Sequence, residues 1–210
     1  MPNPWLDIPL HDYEGHMNSV NVAQLAALAD LFEEALTVYR PESVAILGVA
    51  GGNGLNRIDL GVTKRIVGID IHPAYLDTLR ARYPQLPLTL LCFDLEKDRI
   101  EEEAVALVHA AMIFEHAGTE QCLQNAASLV EPGGHLSVVL QVPSATQADV
   151  SPTQFHSILS LADQFRLIDH RELEQKLNSL RFLLHHQTRR DLPGGKAFWL
   201  GAFKKASSNA

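Results

Sequence analysis

Apolar runs of four to seven residues alternate with stretches of three-four spacing along most of the chain. Val22, Leu25, Leu28, Leu31, Phe32, Ala35 and Leu36 keep the helical spacing and predict one buried face. That helix would start at Asn18 or Ser19, either of which can cap it, and run to about residue 39, where Pro41 stops it. A first strand is predicted at 44–47, a short helix at 55–60 and a second strand at 65–70. His72-Pro73 opens a helix that ends near Tyr83-Pro84, and 87–94 reads as a third strand. A charged loop, 96–103, leads to a fourth strand at 104–109. Residues 119–130 read as a helix, Glu131-Pro132-Gly133-Gly134 as a turn, and 135–142 as a fifth strand. That last run is almost continuously apolar, as a buried parallel strand should be. After a polar linker at 144–150, the pattern predicts an amphipathic helix at 152–165 and another at 171–180. Two strands, 181–187 and 196–203, follow, joined through Leu192-Pro193-Gly194-Gly195. Residues 1–16 are Pro-rich and polar, with Trp5, Tyr13 and His16 interleaved, and 204–210 reads as a frayed tail. Strands spaced by helices imply a doubly wound α/β sheet.

The chemistry gathers where the first strand ends. Four glycines fall between Gly48 and Gly54, and the second strand closes on Asp70. Glycine lets a backbone approach a ligand closely, and an acid at the next strand end can accept hydrogen bonds from a ribose diol. No Lys-Ser or Lys-Thr follows the glycines, which excludes a P-loop. A dinucleotide fingerprint starting at Gly52-Asn53-Gly54 would put its third glycine on Arg57.

The stretch Gly48-Val49-Ala50-Gly51-Gly52-Asn53-Gly54 resembles the acidic-x-[Gly/Ala]-x-Gly-x-Gly loop of the class I S-adenosylmethionine (SAM)-dependent methyltransferases. Ala50, Gly52 and Gly54 take the three small positions, while Gly48 stands where that family usually has Asp or Glu. Ile69-Asp70, Phe93-Asp94-Leu95 and Val130-Glu131-Pro132-Gly133-Gly134 extend the resemblance in the right order. It covers most of 42–142 and, with the terminal hairpin, reaches about 203. The resemblance implies a mostly parallel seven-stranded sheet with a terminal antiparallel strand inserted next to strand six, flanked by helices. It implies that Gly48, Ala50, Gly52 and Gly54 bind SAM, with Gly52 and Gly54 lining its methionine part. Asp70 and Ile71 would meet the ribose, Asp94 and Leu95 the adenine, and His109 the sulfonium end. Methyl transfer needs a base only when the acceptor carries a proton, and His109, Glu115 and His116 are the candidates.

The family's base-methylating signature, Asn or Asp followed by Pro-Pro and an aromatic, is missing from 109–116. The net charge of −8 likewise disfavours a nucleic-acid partner. No signal peptide or membrane-length apolar run is read, and two cysteines are too few for a disulfide framework or zinc cluster. The ten histidines show no metal-ligand spacing, and His185-His186 on a strand would point to opposite faces. The expectation is a cytoplasmic protein, monomer or homodimer, that methylates a small molecule. The alternatives are an NAD(P)-dependent oxidoreductase, which Arg57 argues against, and a SAM-binding protein without methyl transfer. An open α/β crevice would leave the sulfonium wet. A lid is therefore expected from residues 1–41, with Tyr13, His16 and Met17 toward the substrate, ahead of a SAM-binding domain at 42–210. Within that domain, 144–166 would be a substrate-covering insertion bearing Phe155.

Overall fold

The structure is a computed structural model that describes residues 3–207. The long parallel runs become β1 (Ser43–Leu47), β2 (Arg65–Asp70), β3 (Leu88–Cys92), β4 (Val105–Ala111) and β5 (Val130–Val142). β6 (Phe182–Asp191) and β7 (Ala197–Lys205) complete one seven-stranded sheet in the order β3-β2-β1-β4-β5-β7-β6. β7 runs antiparallel to both neighbours, and the other strands run one way. The expected terminal strand is therefore inserted beside strand six.

The helices are α1 (Leu10–Met17), α2 (Gln24–Tyr39), α3 (Pro73–Arg82), the single turn α4 (Phe114–Ala117), α5 (Gln121–Leu129) and α6 (His170–Ser179). They cover both faces, as the alternation in β1 requires. Val44 and Ile46 pack with Phe32, Leu76 and Leu79 on one side, while Ala45 and Leu47 pack with Leu123 and Leu177 on the other. Strand order reverses between β1 and β4, so the carboxyl ends of these strands frame the crevice where α/β folds bind ligands.

Several expected boundaries move. The first helix begins at Gln24, not at 18 or 19, and residues 10–17, expected to be an irregular polar stretch, form α1. Residues 55–60 hold only a 3-10 turn, Leu55–Arg57, and 152–165 only another, His156–Leu161. The Glu-Pro-Gly-Gly turn is absorbed into β5 as an irregularity: Val105 pairs with Val130 but Leu107 with His135. A similar slip in β6, between Leu184 and His186, overturns the expectation that His185 and His186 face apart. Both reach the same helix: His185 Nδ1 lies 3.3 Å from Tyr39 Oη and His186 Nε2 3.3 Å from Glu34 Oε1. Among the described residues, no group of three His, Cys, Asp or Glu could hold a metal, and no helix is long and apolar enough to cross a membrane.

α1 and the segment around His156–Leu161 lie against each other. Gly15 meets the ring of Phe155 where any side chain would collide, and Ser157 Oγ donates to Asp12 Oδ2 at 2.6 Å. Ile8, Ile158 and Leu161 form a small core beneath them. On its other side α1 is tied to α3: Arg82 donates to both carboxylate oxygens of Glu14, at 2.9 Å for Nη2 to Oε2, and to the Gly51 carbonyl at 3.1 Å.

Candidate active site

Three contiguous cavities occupy the carboxyl ends of the central strands. The first is lined by Gly48, Ala50, Asp70, Ile71, Asp94 and Leu95, together with Trp5, Tyr13, Met112 and His116. The second follows the glycine loop through Gly52, Asn53 and Gly54 to Glu14, Arg82 and His109. The third is lined by His16 and Met17 of α1 together with Met112, Gln141, Phe165 and Lys196. Tyr13 borders all three.

Asp70 is placed by β2 and is only 7% exposed. Oδ2 accepts the Ala50 N–H at 2.8 Å and Oδ1 the His72 N–H at 2.9 Å. Burial raises its pKa above the usual carboxylate range, and these backbone donors oppose the rise. A carboxylate oxygen has two lone pairs, so each keeps an acceptor site for one hydroxyl of a vicinal diol. Asp94 lines the same cavity, though Lys97 Nζ already donates to its Oδ2 at 2.8 Å. Buried Asn125 fixes that loop by donating to the Asp98 carbonyl and accepting the Ile100 N–H.

The backbone is left-handed at two non-glycine positions facing the first cavity, Ala50 (φ 45°) and Met112 (φ 57°). Such conformations persist only where their surroundings enforce them, and they gather at binding sites. Gly48 has φ 69°, and a Cβ there would lie 2.8 Å from Ile113 Cδ1. That explains why no acid stands at this position: any side chain would be strained and would meet Ile113.

The three base candidates separate. His109 lies within β4, stacked on Phe32 at 4.6 Å with Nδ1 3.2 Å from Ser137 Oγ. Burial lowers its pKa to about 3, and it faces the glycine-loop cavity. Glu115 borders none of the three cavities. Its Oε1 accepts the Gln141 N–H at 2.8 Å, and its Oε2 is buried without a partner among the described residues. Only His116 looks into both the first and third cavities, its ring edge-on to Trp5 at 4.9 Å and to Phe165 at 5.1 Å. Its Nδ1 is buried and unpartnered, and burial lowers its pKa to about 4. Phe155, expected to face substrate, props Gly15 of α1 instead. Trp5, Met112, Gln141 and Lys196 line the site without having been singled out in the sequence. A tryptophan in a Pro-rich stretch was the one available signal.

Glu115 gives a prediction of its own. Burial pushes its carboxyl from the ordinary 4.5 up to about 7. The folded state therefore holds a proton that the unfolded state has released, and the resulting stability is lost as pH rises from about 4.5 to 7. Chemical denaturation at pH 5 and pH 8 should show wild type losing about 2–3 kcal/mol relative to Glu115→Gln over that interval. Parallel curves would mean that Glu115 ionises freely.

The sheet order and a crevice holding a buried carboxylate beside a glycine loop define a class I methyltransferase-like, Rossmann-like fold. Residues 46–138 match the methyltransferase domain family, whose class I members use SAM as cofactor. An uncharacterised methyltransferase-like protein of Schizosaccharomyces pombe is 24% identical over 112 residues, which are 53% of this chain and 43% of that one. The chain thus spans a little under half the length of this curated relative. The N-methyltransferase NodS of Bradyrhizobium japonicum, solved with S-adenosyl-L-homocysteine (SAH), superposes with a TM-score of 0.64 at 12% identity, covering 98% of this chain and 93% of NodS. The [4+2]-cyclase SpnF superposes at 0.66 with 13% identity, over 87% and 81% of the two chains.

Proposed function

We propose that the protein transfers the methyl group of SAM to a small-molecule acceptor held beneath α1. One observation carries the reading: the Asp70 crevice shares Trp5, Tyr13, Met17, Met112 and His116 with a neighbouring cavity that His16, Ile158 and Leu161 also line. Asp70 takes the ribose hydroxyls, the Asp94–Leu95 turn takes adenine, and Gly52 and Gly54 border the methionine chain. SAM supplies an already activated methyl, so the protein's contribution is positioning and the exclusion of water. His116 stands where the two cavities meet. Its lowered pKa keeps it neutral at pH 7, able to take a proton from an acceptor hydroxyl or amine through Nδ1.

Calorimetry should give binding of SAH and none of NAD. The Leu55–Arg57 turn offers no helix N-terminus to a pyrophosphate, and Arg57 there is paired with Glu33 at 2.6 Å. His116→Ala should cut turnover by roughly 10²–10⁴, the range of a lost general base, with SAH affinity within a few-fold. A tenfold loss of affinity with unchanged turnover would make His116 a cofactor residue. The structural likeness to a [4+2]-cyclase keeps a second reading in view, a SAM-binding protein without methyl transfer. Label from methyl-tritiated SAM that never reaches an acceptor would favour it.

A further inference from the structure

The third cavity has one polar end and one apolar body. At the polar end Lys196 is only 6% exposed, and its Nζ donates to the Asp149 carbonyl at 2.7 Å and to Gln141 Oε1 at 3.3 Å. Gln141 is held in turn by Gln24 Nε2 at 3.3 Å and donates its own Nε2 to Asp149 O at 2.9 Å. Every acceptor in this network is neutral. Among the described residues Lys196 forms no ion pair, and the residue nearest in charge, Asp149, is itself exposed. A buried ammonium with two of its three hydrogens bonded to neutral oxygens retains a donor, and its charge is offset only by the exposed Asp149 carboxylate. His16, 6% exposed, lines the same cavity with an unpartnered, buried Nδ1. Trp5, Met112, Ile158, Leu161 and Phe165 supply the cavity's apolar and aromatic surface.

Resting on the methyl-transfer reading above, we propose that the acceptor is a small carboxylic acid with an apolar or aromatic body. Its carboxylate pairs with Lys196 Nζ, and its nucleophilic atom lies at the Met112–His116 end, beside the cofactor crevice. The pairing supplies the ion-pair partner that Lys196 lacks, and the network through Gln141 and Gln24 fixes the ammonium in place. A phosphate would bring up to two charges and three oxygens to a single lysine with no arginine fork, so a carboxylate is the better match. With the anion anchored and the body against Trp5 and Phe165, the far end reaches His116. The nucleophile's lone pair then forms the bond to the methyl carbon as the sulfur–methyl bond breaks toward sulfur. The nucleophile's proton passes to His116 Nδ1.

The test uses the full chain saturated with SAH. It is titrated calorimetrically with aromatic and branched aliphatic acids, among them 4-hydroxybenzoate, phenylacetate and 4-methylpentanoate, each beside its primary amide. At least one acid should bind roughly tenfold or more tightly than its amide, as a charge-assisted bond implies. Lys196→Met should abolish the preference while SAH affinity stays unchanged. A panel in which no acid outbinds its amide, or a preference that survives Lys196→Met, overturns the proposal. If Lys196→Met fails to take up SAH, Lys196→Gln and the wild-type acid–amide comparison decide. Wild-type protein that does not bind SAH at all instead sinks the methyl-transfer reading itself, and this proposal with it.

Discussion

Removing residues 1–17 should reduce methyl transfer to less than about one part in a thousand, while SAH affinity falls by about tenfold. The two losses differ because the removed segment contributes unequally to the cavities. The glycine loop, Asp70 and the Asp94–Leu95 turn survive truncation, so most polar contacts to the nucleoside remain. The acceptor cavity loses Trp5, Tyr13, His16 and Met17, leaving the reacting centre open to water. Closure excludes water and fixes the geometry, and effective molarities show how large that contribution can be. Hydrogen exchange supplies the second readout. Residues 10–17 and 151–165, joined through Gly15–Phe155 and Asp12–Ser157, should gain protection together when SAH is added. A truncated protein with more than a tenth of wild-type turnover, or segments indifferent to SAH, would remove the lid from the mechanism.

Asp70→Ala should weaken SAH binding by roughly a hundredfold or more. Two hydroxyl bonds to a carboxylate, each worth about 1.5–3 kcal/mol before water substitutes, are lost together. Two further groups also lose an acceptor, the buried N–H donors of Ala50 and His72, so the glycine loop loosens too. Asp70→Asn separates these effects: it keeps the volume and one acceptor oxygen and should cost about tenfold. Because burial raises the Asp70 pKa, affinity should also fall on acidification at a higher pH than an exposed aspartate would dictate. Calorimetry showing equal affinity for wild type and the alanine variant would remove Asp70 from the cofactor site.

The central strands and the Asp70 crevice were legible in the sequence because they rest on local signals. A buried parallel strand is written as a continuous apolar run, and a glycine loop between two such runs fixes where a ligand can approach. α1 was illegible for the opposite reason. Leu10, Tyr13 and Met17 do keep helical spacing, but Gly15 and four charged or imidazole side chains dilute it. The helix is held by tertiary contacts, Glu14 on Arg82 and Gly15 on Phe155. Residues 152–165 fail the other way: a helical apolar stripe is present, yet those side chains turn toward Ile8 and α1 through one 3-10 turn. The β6 slip that turns His185 and His186 to one helix depends on pairing with β7, which periodicity within one strand does not encode. Lys196 reads as the polar first residue of a predicted strand. Its burial is set by Gln141, 55 positions away, and by Asp149.

The two halves of the site also have separate histories open to them. The glycine loop, Asp70, the Asp94–Leu95 turn and His116 all fall within the 46–138 stretch that matches other methyltransferase domains. Gln24, Gln141, Lys196 and the His156–Leu161 segment, which line the third cavity, all fall outside it. Substitutions in the two sets that share no partner should combine almost independently, with His116, which touches Phe165, as the exception. A lineage could therefore exchange one acceptor for another by altering the flanking segments while inheriting its nucleoside crevice intact.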